Sequence, residues 1–314
     1  MTGFFNVYKE TGYTSHDVVA IIRKITRGKV GHTGTLDPQA EGVLPICLGR
    51  ATKLADMIMG QDKSYIAEVV LGVVTDTGDM TGQVLAESPI EYNRDAIIKV
   101  VEGFRGSQMQ VPPMYSAIKI GGKKLYELAR KGQTVERKPR AVNIDSIKVL
   151  DFQPDKNSFT IDVTCSKGTY IRSLCMDIGE ALGTGAAMGS LLRTSSGDFS
   201  LDSAVKLGEI KEAAANGYLS DILIPVEKIL PYPRIYVKPD GLAMAKNGNP
   251  LPLGLIECRG DGSFDTQHMT ACQKNRPLDT SPPDTYWLHG PDGLIGLYSI
   301  DPAGQGKLRL EVMM

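Results

Sequence analysis

The 314-residue sequence has no excess of either charge: 35 lysines and arginines face 36 acids, giving a net charge of −1 and an isoelectric point near 6.4. Overall charge therefore gives no hint of a nucleic-acid or membrane-surface partner. No cysteine pair follows a CxxC spacing, and the five cysteines, Cys47, Cys165, Cys175, Cys258 and Cys272, leave one over in any disulfide scheme. That favours a reducing cytoplasm. No apolar run approaches the roughly 20 residues a membrane helix needs, and the first residues lack a basic-then-apolar leader pattern. The absence of GxGxxG and Walker motifs leaves a nucleotide cofactor without support. Cys258, His268, Cys272 and His289 do not follow a structural zinc spacing. Asp76-Thr77-Gly78-Asp79 with Glu87 fails as a calcium loop: Gly78 and Met80 stand at its third and fifth positions, and Thr81 stands where glycine is required. The expectation is a cytoplasmic protein with no metal, no cofactor and no membrane association.

What is present is an ordinary globular composition, 23% charged and 42% hydrophobic, with enough chain for about two domains. Ser15 is placed to cap a helix over about 16–27, with Val18, Val19, Ile21, Ile22 and Ile25 as its apolar stripe and Gly28 as its stop. Tyr65, Ala67, Val69 and Leu71 alternate along a half-buried strand from Tyr65 to Val73. Asn93 caps a helix reaching about Gly103. Phe159, Ile161, Val163 and Cys165 form the inner face of another strand, followed by a helix with Ile171, Leu174, Cys175, Ile178, Ala181 and Leu182 on one side. Mixed elements with long connections predict an α+β unit around a mainly antiparallel sheet. After Pro231-Tyr232-Pro233 the texture becomes rich in glycine and proline, with strand-like pieces at Arg234–Lys238 and Leu294–Ile300, which reads as a small β-rich second domain. Residues between Cys258 and Pro283 are polar and aperiodic, and read as a long loop.

The most informative stretch is Gly31-His32-Thr33-Gly34-Thr35-Leu36-Asp37-Pro38, continuing through Glu41-Gly42-Val43-Leu44-Pro45. It sets one carboxylate on a loop crowded with glycine and proline, with no second acid, metal ligand or phosphate cradle beside it. Glycine supplies backbone angles that other residues avoid, and the proline after Asp37 holds that aspartate extended. Asp before Pro is common in plain turns, so the tripeptide alone carries no weight; the whole string GHTGTLDPxAxGVLPICLGRATK does. It resembles the catalytic signature of the bacterial tRNA pseudouridine-55 synthase family (TruB type). The resemblance covers most of residues 4–233 and is dense at 9–15, 29–54, 62–84, 111–142, 165–178 and 191–199.

The resemblance implies a pseudouridine synthase-like α+β core, a mainly antiparallel mixed sheet flanked by helices, plus a small C-terminal β-rich PUA-like domain. On this reading residues 1–232 are catalytic, with an RNA-gripping insertion at about 108–142, and residues 233–314 form the second domain. It implies Asp37 as nucleophile and, from CSKGTYIRSL, Arg172 as the cation paired with it. On the residues alone, an arginine in the first turn of a helix gains nothing from the helix dipole and needs another reason to be there. A partner carboxylate supplies one, because a neighbouring cation favours the ionised acid. Tyr65, which periodicity alone places in the core, matches the tyrosine that stacks on the target base and is a candidate for the final proton transfer. Tyr170 matches a second substrate-contacting tyrosine, Leu191 the leucine of an LRRT motif that contacts the flipped nucleotide, and His32 a residue packed against the RNA where the base is extruded. Asp76 onward matches the motif TDTxDxxG.

The strongest local charge feature is 119–140, with eight cations (Lys119, Lys123, Lys124, Arg130, Lys131, Arg137, Lys138, Arg140) against Glu127 and Glu136. Tyr115 and Tyr126 lie among them. Basic residues interleaved with aromatics suit a phosphate backbone with exposed bases, and the segment resembles the family's RNA-gripping insertion, with Lys119 and Arg130 as substrate-binding residues and Gly121-Gly122 compatible with a hinge. Three departures stand out: Glu10 where the family has proline, Ala187 where it has histidine, and Leu192 where it has the first arginine of LRRT. The C-terminal part, with 8 basic and 9 acidic residues over 231–314, fits the family's RNA-binding barrel only loosely. The activity implied is isomerisation of one uridine in the T-arm of tRNA by a monomer that needs no protein partner. A guide-RNA-dependent relative and a tRNA-folding helper with incidental catalysis are the alternatives.

Overall fold

The computed structural model describes residues 1–116, 118–258, 285–301 and 306–314. The expected loop between Cys258 and Pro283 falls almost wholly outside the described residues, as do His268 and Cys272. Ten described strands form one twisted sheet. Along its main path the order is Val205–Lys206, Gly3–Lys9, Glu41–Leu48, Ala186–Ser196, Lys63–Leu71, Ser158–Cys165, Arg140–Gln153 and Gly106–Gln110. Val30–His32 pairs with Glu41–Leu48, and Phe199–Ser200 with Ala186–Ser196. The pairing is antiparallel except at two places, where Gly3–Lys9 meets Val205–Lys206 and where Glu41–Leu48 meets Ala186–Ser196. The fold is α+β.

The alternating positions behave as a two-faced strand requires. In Lys63–Leu71 the residues Lys63, Tyr65, Ala67, Val69 and Leu71 are buried and those between are half-exposed. The strand stops two residues short of the expected Val73, because Gly72 turns the chain with φ +77°. Phe159, Ile161, Val163 and Cys165 are buried on the neighbouring strand. The helix Arg94–Glu102 is capped by Asn93, whose side chain accepts from the Ala96 amide. Ile171–Ala181 lays Ile171, Leu174, Cys175 and Ile178 on the sheet, but Ala181 is exposed.

The first helix, Ser15–Thr26, differs from expectation at both ends. Thr14 is its cap, in a reciprocal box with Asp17, and Arg27 rather than Gly28 takes the left-handed turn that ends it (φ 51°). Ser15 is buried instead, and its hydroxyl serves the loop before Asp37.

A second, six-stranded sheet runs in the order Leu251–Pro252, Lys307–Met313, Gly293–Ile300, Thr285–Gly290, Arg234–Val237 and Ile256–Glu257. It is joined to the first through a shared apolar cluster. Trp287 is fully buried among residues such as Phe4, Val43, Cys47 and Phe199 of the large sheet, and its indole donates to the Leu230 carbonyl at 2.7 Å. Truncating such a residue to alanine costs roughly 3–5 kcal/mol, so this indole is one substantial fastening between the sheets. No helix among the described residues is long and apolar enough to cross a membrane.

Candidate active site

The centre of the large sheet supports a cleft of roughly 300 Å³, at the small end of the range for small-molecule sites. Asp37 stands on the loop entering Glu41–Leu48, and the backbone on both sides of it is tied down. Before it, the Ser15 hydroxyl accepts from the Leu36 amide at 2.9 Å and lies 3.1 Å from the Leu36 carbonyl. After it, the Pro38 carbonyl accepts from the Gly12 amide at 2.8 Å and from Lys9 Nζ at 3.2 Å. The Ala40 amide closes the turn on the Asp37 carbonyl at 3.1 Å. Lys9 is fully buried and also donates to the Glu10 and Tyr13 carbonyls. The unusual Glu10 therefore contributes a backbone carbonyl to this cage, which any residue there would offer.

Arg172 reaches the loop from the first turn of Ile171–Ala181. Its Nη2 lies 3.0 Å from Asp37 Oδ2. The arginine side chain is 7% exposed and the aspartate 42%, so a buried cation meets a carboxylate open to the cleft. The same guanidinium donates to the Thr77 carbonyl at 3.0 Å and the Tyr115 carbonyl at 2.6 Å, and its Nε lies 3.9 Å from Asp79 Oδ2. These partners explain why a cation occupies a helix start. Asp79 belongs to the TDTGDMTG loop, which thereby buttresses the ion pair.

Tyr65, Leu191 and Tyr170 line the cleft with Asp37 and Arg172. Burial pushes the Tyr65 hydroxyl up. The Tyr170 hydroxyl is pushed up for the same reason, and its peptide is gripped at both ends by Gln110, which accepts from the Tyr170 amide at 2.8 Å and donates to its carbonyl at 3.0 Å. His32 stands just outside, next to the lining residues Thr33 and Gly34. Its Nδ1 accepts from the Gly34 amide at 3.2 Å, and its ring faces His16 at 5.5 Å. Burial, then the charge of His16, hold its pKa below the usual histidine value. Lys119 and Arg130 do not line the cleft. They are exposed on the insertion, where Lys119–Ile120 and Lys123–Lys124 form a hairpin and Arg130 covers the Tyr126 ring at 5.4 Å. Gly121 and Gly122 make the two-residue turn of that hairpin, both with positive φ (58° and 83°).

Several cleft residues were not singled out in the sequence. Lys63, two positions before Tyr65 on the same face, donates to the Met59 carbonyl at 2.9 Å and to the Gln61 carbonyl, and burial lowers its pKa to about 8. Burial likewise takes Lys9 to about 8. Arg193 is buried, two positions beyond Leu191 and therefore on Leu191's face of the strand. Extending the alternation from Leu191 would have found it. Leu192, between them, turns to the opposite face, so the arginine it replaces is no loss to the cleft. Ala187 is wholly buried in the sheet. Among the described residues no three His, Cys, Asp or Glu side chains gather as a metal site.

Two family models match consecutive stretches: "TruB family pseudouridylate synthase (N terminal domain)" over residues 23–171 and "tRNA pseudouridylate synthase B C-terminal domain" over 172–231. Proteins called tRNA pseudouridine synthase B are similar over most of the chain. That of Alkaliphilus oremlandii is 51% identical over 72% of this chain and 75% of its own. That of Clostridium tetani is 49% identical over 79% and 85%, and that of Bacillus subtilis 44% identical over 77% and 81%. Among solved structures, a chain of a Cbf5-Nop10-Gar1 complex matches with a TM-score of 0.68 at 28% identity, covering 99% of this chain and 84% of that one.

Proposed function

Since this chain belongs to the TruB family of tRNA pseudouridine synthases, isomerases that act on U55, we propose that Asp37 is its nucleophile, that Arg172 holds that carboxylate, and that the substrate enters as a flipped uridine of the tRNA T-arm. The observation that carries this reading is the 3.0 Å pair between an open carboxylate and a buried guanidinium at the centre of the sheet. Both partners of the pair are fixed by backbone bonds before any substrate arrives, which is the preorganisation that catalysis rewards.

The chemistry follows from the lining. A uracil stacked in a folded loop is reached only by extrusion, at a cost of a few kcal/mol. His32 at the rim and the basic insertion around Lys119 and Arg130 offset that cost by contacting RNA outside the cleft. Inside, Tyr65 offers a ring face, with Tyr170 and Leu191 beside it. Asp37 acts while the N1–C1′ bond breaks, the base turns within the cleft and rejoins through C5, and the C5 proton leaves. Reactant and product are isomers, so no redox partner or external group is consumed. Residues 1–232 form the catalytic unit on this reading, 233–314 an accessory domain, and the enzyme acts as a cytoplasmic monomer.

The test is tritium release from a C5-tritiated uridine T-arm transcript with the purified chain alone. Stoichiometric release from one site, lost in Asp37→Ala with binding retained, is the expected result. Tight binding without release would move the assignment to a partner-dependent enzyme or a folding helper.

A further inference from the structure

The row of residues beneath the cleft contains a cation that the reaction outlined above does not use. Register partners across the sheet centre run Lys9, Gly42, Arg193 and Tyr65. Directly opposed residues on neighbouring strands point to the same face, a few ångströms apart, and Arg193 and Tyr65 are both buried on the cleft side. A register shift lies between Arg193 and Ser195, and a second precedes Leu191, so this short stretch is set between two irregularities. Such bulges re-aim side chains beside active sites.

Arg193 is 1% exposed and makes no ion pair among the described residues. Its Nε donates to the Val43 carbonyl at 2.7 Å and its Nη1 reaches the Thr35 carbonyl at 3.5 Å. Nη2 is buried with no hydrogen-bond partner among the described residues, while Tyr65 is Arg193's register partner on the adjacent strand and lines the same cleft. Catalytic hydrogen bonds are often completed only when substrate binds. A buried cation without a carboxylate is expensive to keep, and tying the Thr35 loop needs only part of this one.

We propose that Arg193 is a positioning residue that orients the Tyr65 hydroxyl in the isomerisation reaction. A guanidinium has five donors and no acceptor. Beside it, the Tyr65 oxygen is confined to accepting on the sheet side, and its own proton must point into the cleft, toward Asp37 and the base. Any proton that Tyr65 exchanges then moves on the cleft side, and a phenolate formed there has a fixed cation behind it. Burial raises the Tyr65 pKa, and the Arg193 charge is the largest opposing influence.

The inference rests on the assignment of this cleft to uridine isomerisation, and the experiment separates the two. Single-turnover tritium release at saturating enzyme is measured for wild type, Arg193→Gln, Arg193→Lys, Tyr65→Phe and the doubles. Arg193→Gln should slow release roughly 10–100-fold with the tRNA dissociation constant nearly unchanged, yet change the Tyr65→Phe enzyme by less than about twofold. Equal fold-losses in both backgrounds would make Arg193 a prop for the Thr35 loop and overturn the proposal, as would no loss in the wild-type background. If Arg193→Gln does not fold, Arg193→Met carries the same comparison, and Arg193→Lys, a donor-only cation, should retain most of the rate. Where Tyr65→Phe is too slow to read, NMR of ¹³Cζ-labelled tyrosine decides. The resonance lost in Tyr65→Phe should titrate at higher pH in Arg193→Gln, and an unmoved midpoint would sink the proposal. A wild type that releases no tritium overturns the enzyme reading and this inference with it.

Discussion

Two irregular segments carry the chemistry proposed for this protein, and they are built in opposite ways. The loop at 33–40 has no regular structure, yet Ser15, Gly12, Lys9 and Arg193 bind its backbone from both flanks. The insertion around 111–140 has short regular pieces, a hairpin of two residues a side and the five-residue helix Leu125–Ala129, and its cations are mostly exposed. Bond making at one carbon needs a carboxylate held within a fraction of an ångström. Gripping a phosphate backbone needs charge and reach, and tolerates adjustment. Irregular backbone is therefore no guide to rigidity; what matters is where its amides and carbonyls are bound.

The contrast is broken most severely at Asp37. Asp37→Asn should reduce turnover by roughly 10⁴-fold or more, with the melting temperature and T-arm affinity nearly unchanged; single-turnover release and a binding titration check both halves. Next in size is the clamp itself. Ser15→Ala leaves the Leu36 amide buried without its partner, a loss of about 1–3 kcal/mol in stability. A loop displaced by an ångström should slow chemistry by roughly 10–100-fold. Urea unfolding and turnover at saturating RNA measure the pair, and unchanged turnover would mean the loop is not held through this hydroxyl.

Smaller changes are expected on the insertion. Lys119→Ala and Arg130→Ala should each weaken T-arm binding several-fold and lower the slope of log affinity against log salt by about one, leaving saturated turnover as it was. A fall in saturated turnover would place those side chains closer to the chemistry than the structure does.

The smallest effect is a titration. Lys63 and Lys9 have native pKa values lowered to about 8 against ordinary values of 10.5. Below pH 8 both native and unfolded states hold these protons, so stability does not change on their account. Between about 8 and 10.5 the unfolded state binds more of them, and these lysines add to stability as pH rises. In the same window Lys63 loses its charge in the cleft, so RNA affinity should decline while the fold gains. Lys63→Arg should flatten the affinity curve above pH 8.

What could be read from sequence followed the range of the interaction. Alternation of period two marked the buried faces of Lys63–Leu71 and Ser158–Cys165, because neighbours on one strand share one environment. The first helix starts one residue earlier than its sequence predicts, since Thr14 and Ser15 are both good caps. What decides between them is the Leu36 backbone, 21 positions away, with which the Ser15 hydroxyl is engaged. The Asp37 loop was legible through its glycines and prolines, and the Arg172 partnership through family resemblance. Lys63 gave no such signal, because a buried cation looks in sequence like a solvated one until its strand partners are known, whereas Arg193 lay one step of alternation beyond Leu191 and Asp79 within the matched TDTxDxxG motif.

The order of strands in the large sheet has a bearing on how the cleft comes into being. Glu41–Leu48 and Lys63–Leu71 do not touch as neighbours; Ala186–Ser196 is inserted between them and supplies Leu191 and Arg193. Contacts so distant along the chain are formed late and slowly. During synthesis the first 180 or so residues emerge from the ribosome with Asp37 and Tyr65 present but the middle of the sheet missing. Glu41–Leu48 is then covered by Val30–His32 over Ile46–Leu48, but Lys63–Leu71 waits with an unpaired edge, which invites mispairing. The nascent protein therefore acquires its cleft and closes that edge in one event, the docking of a single late strand.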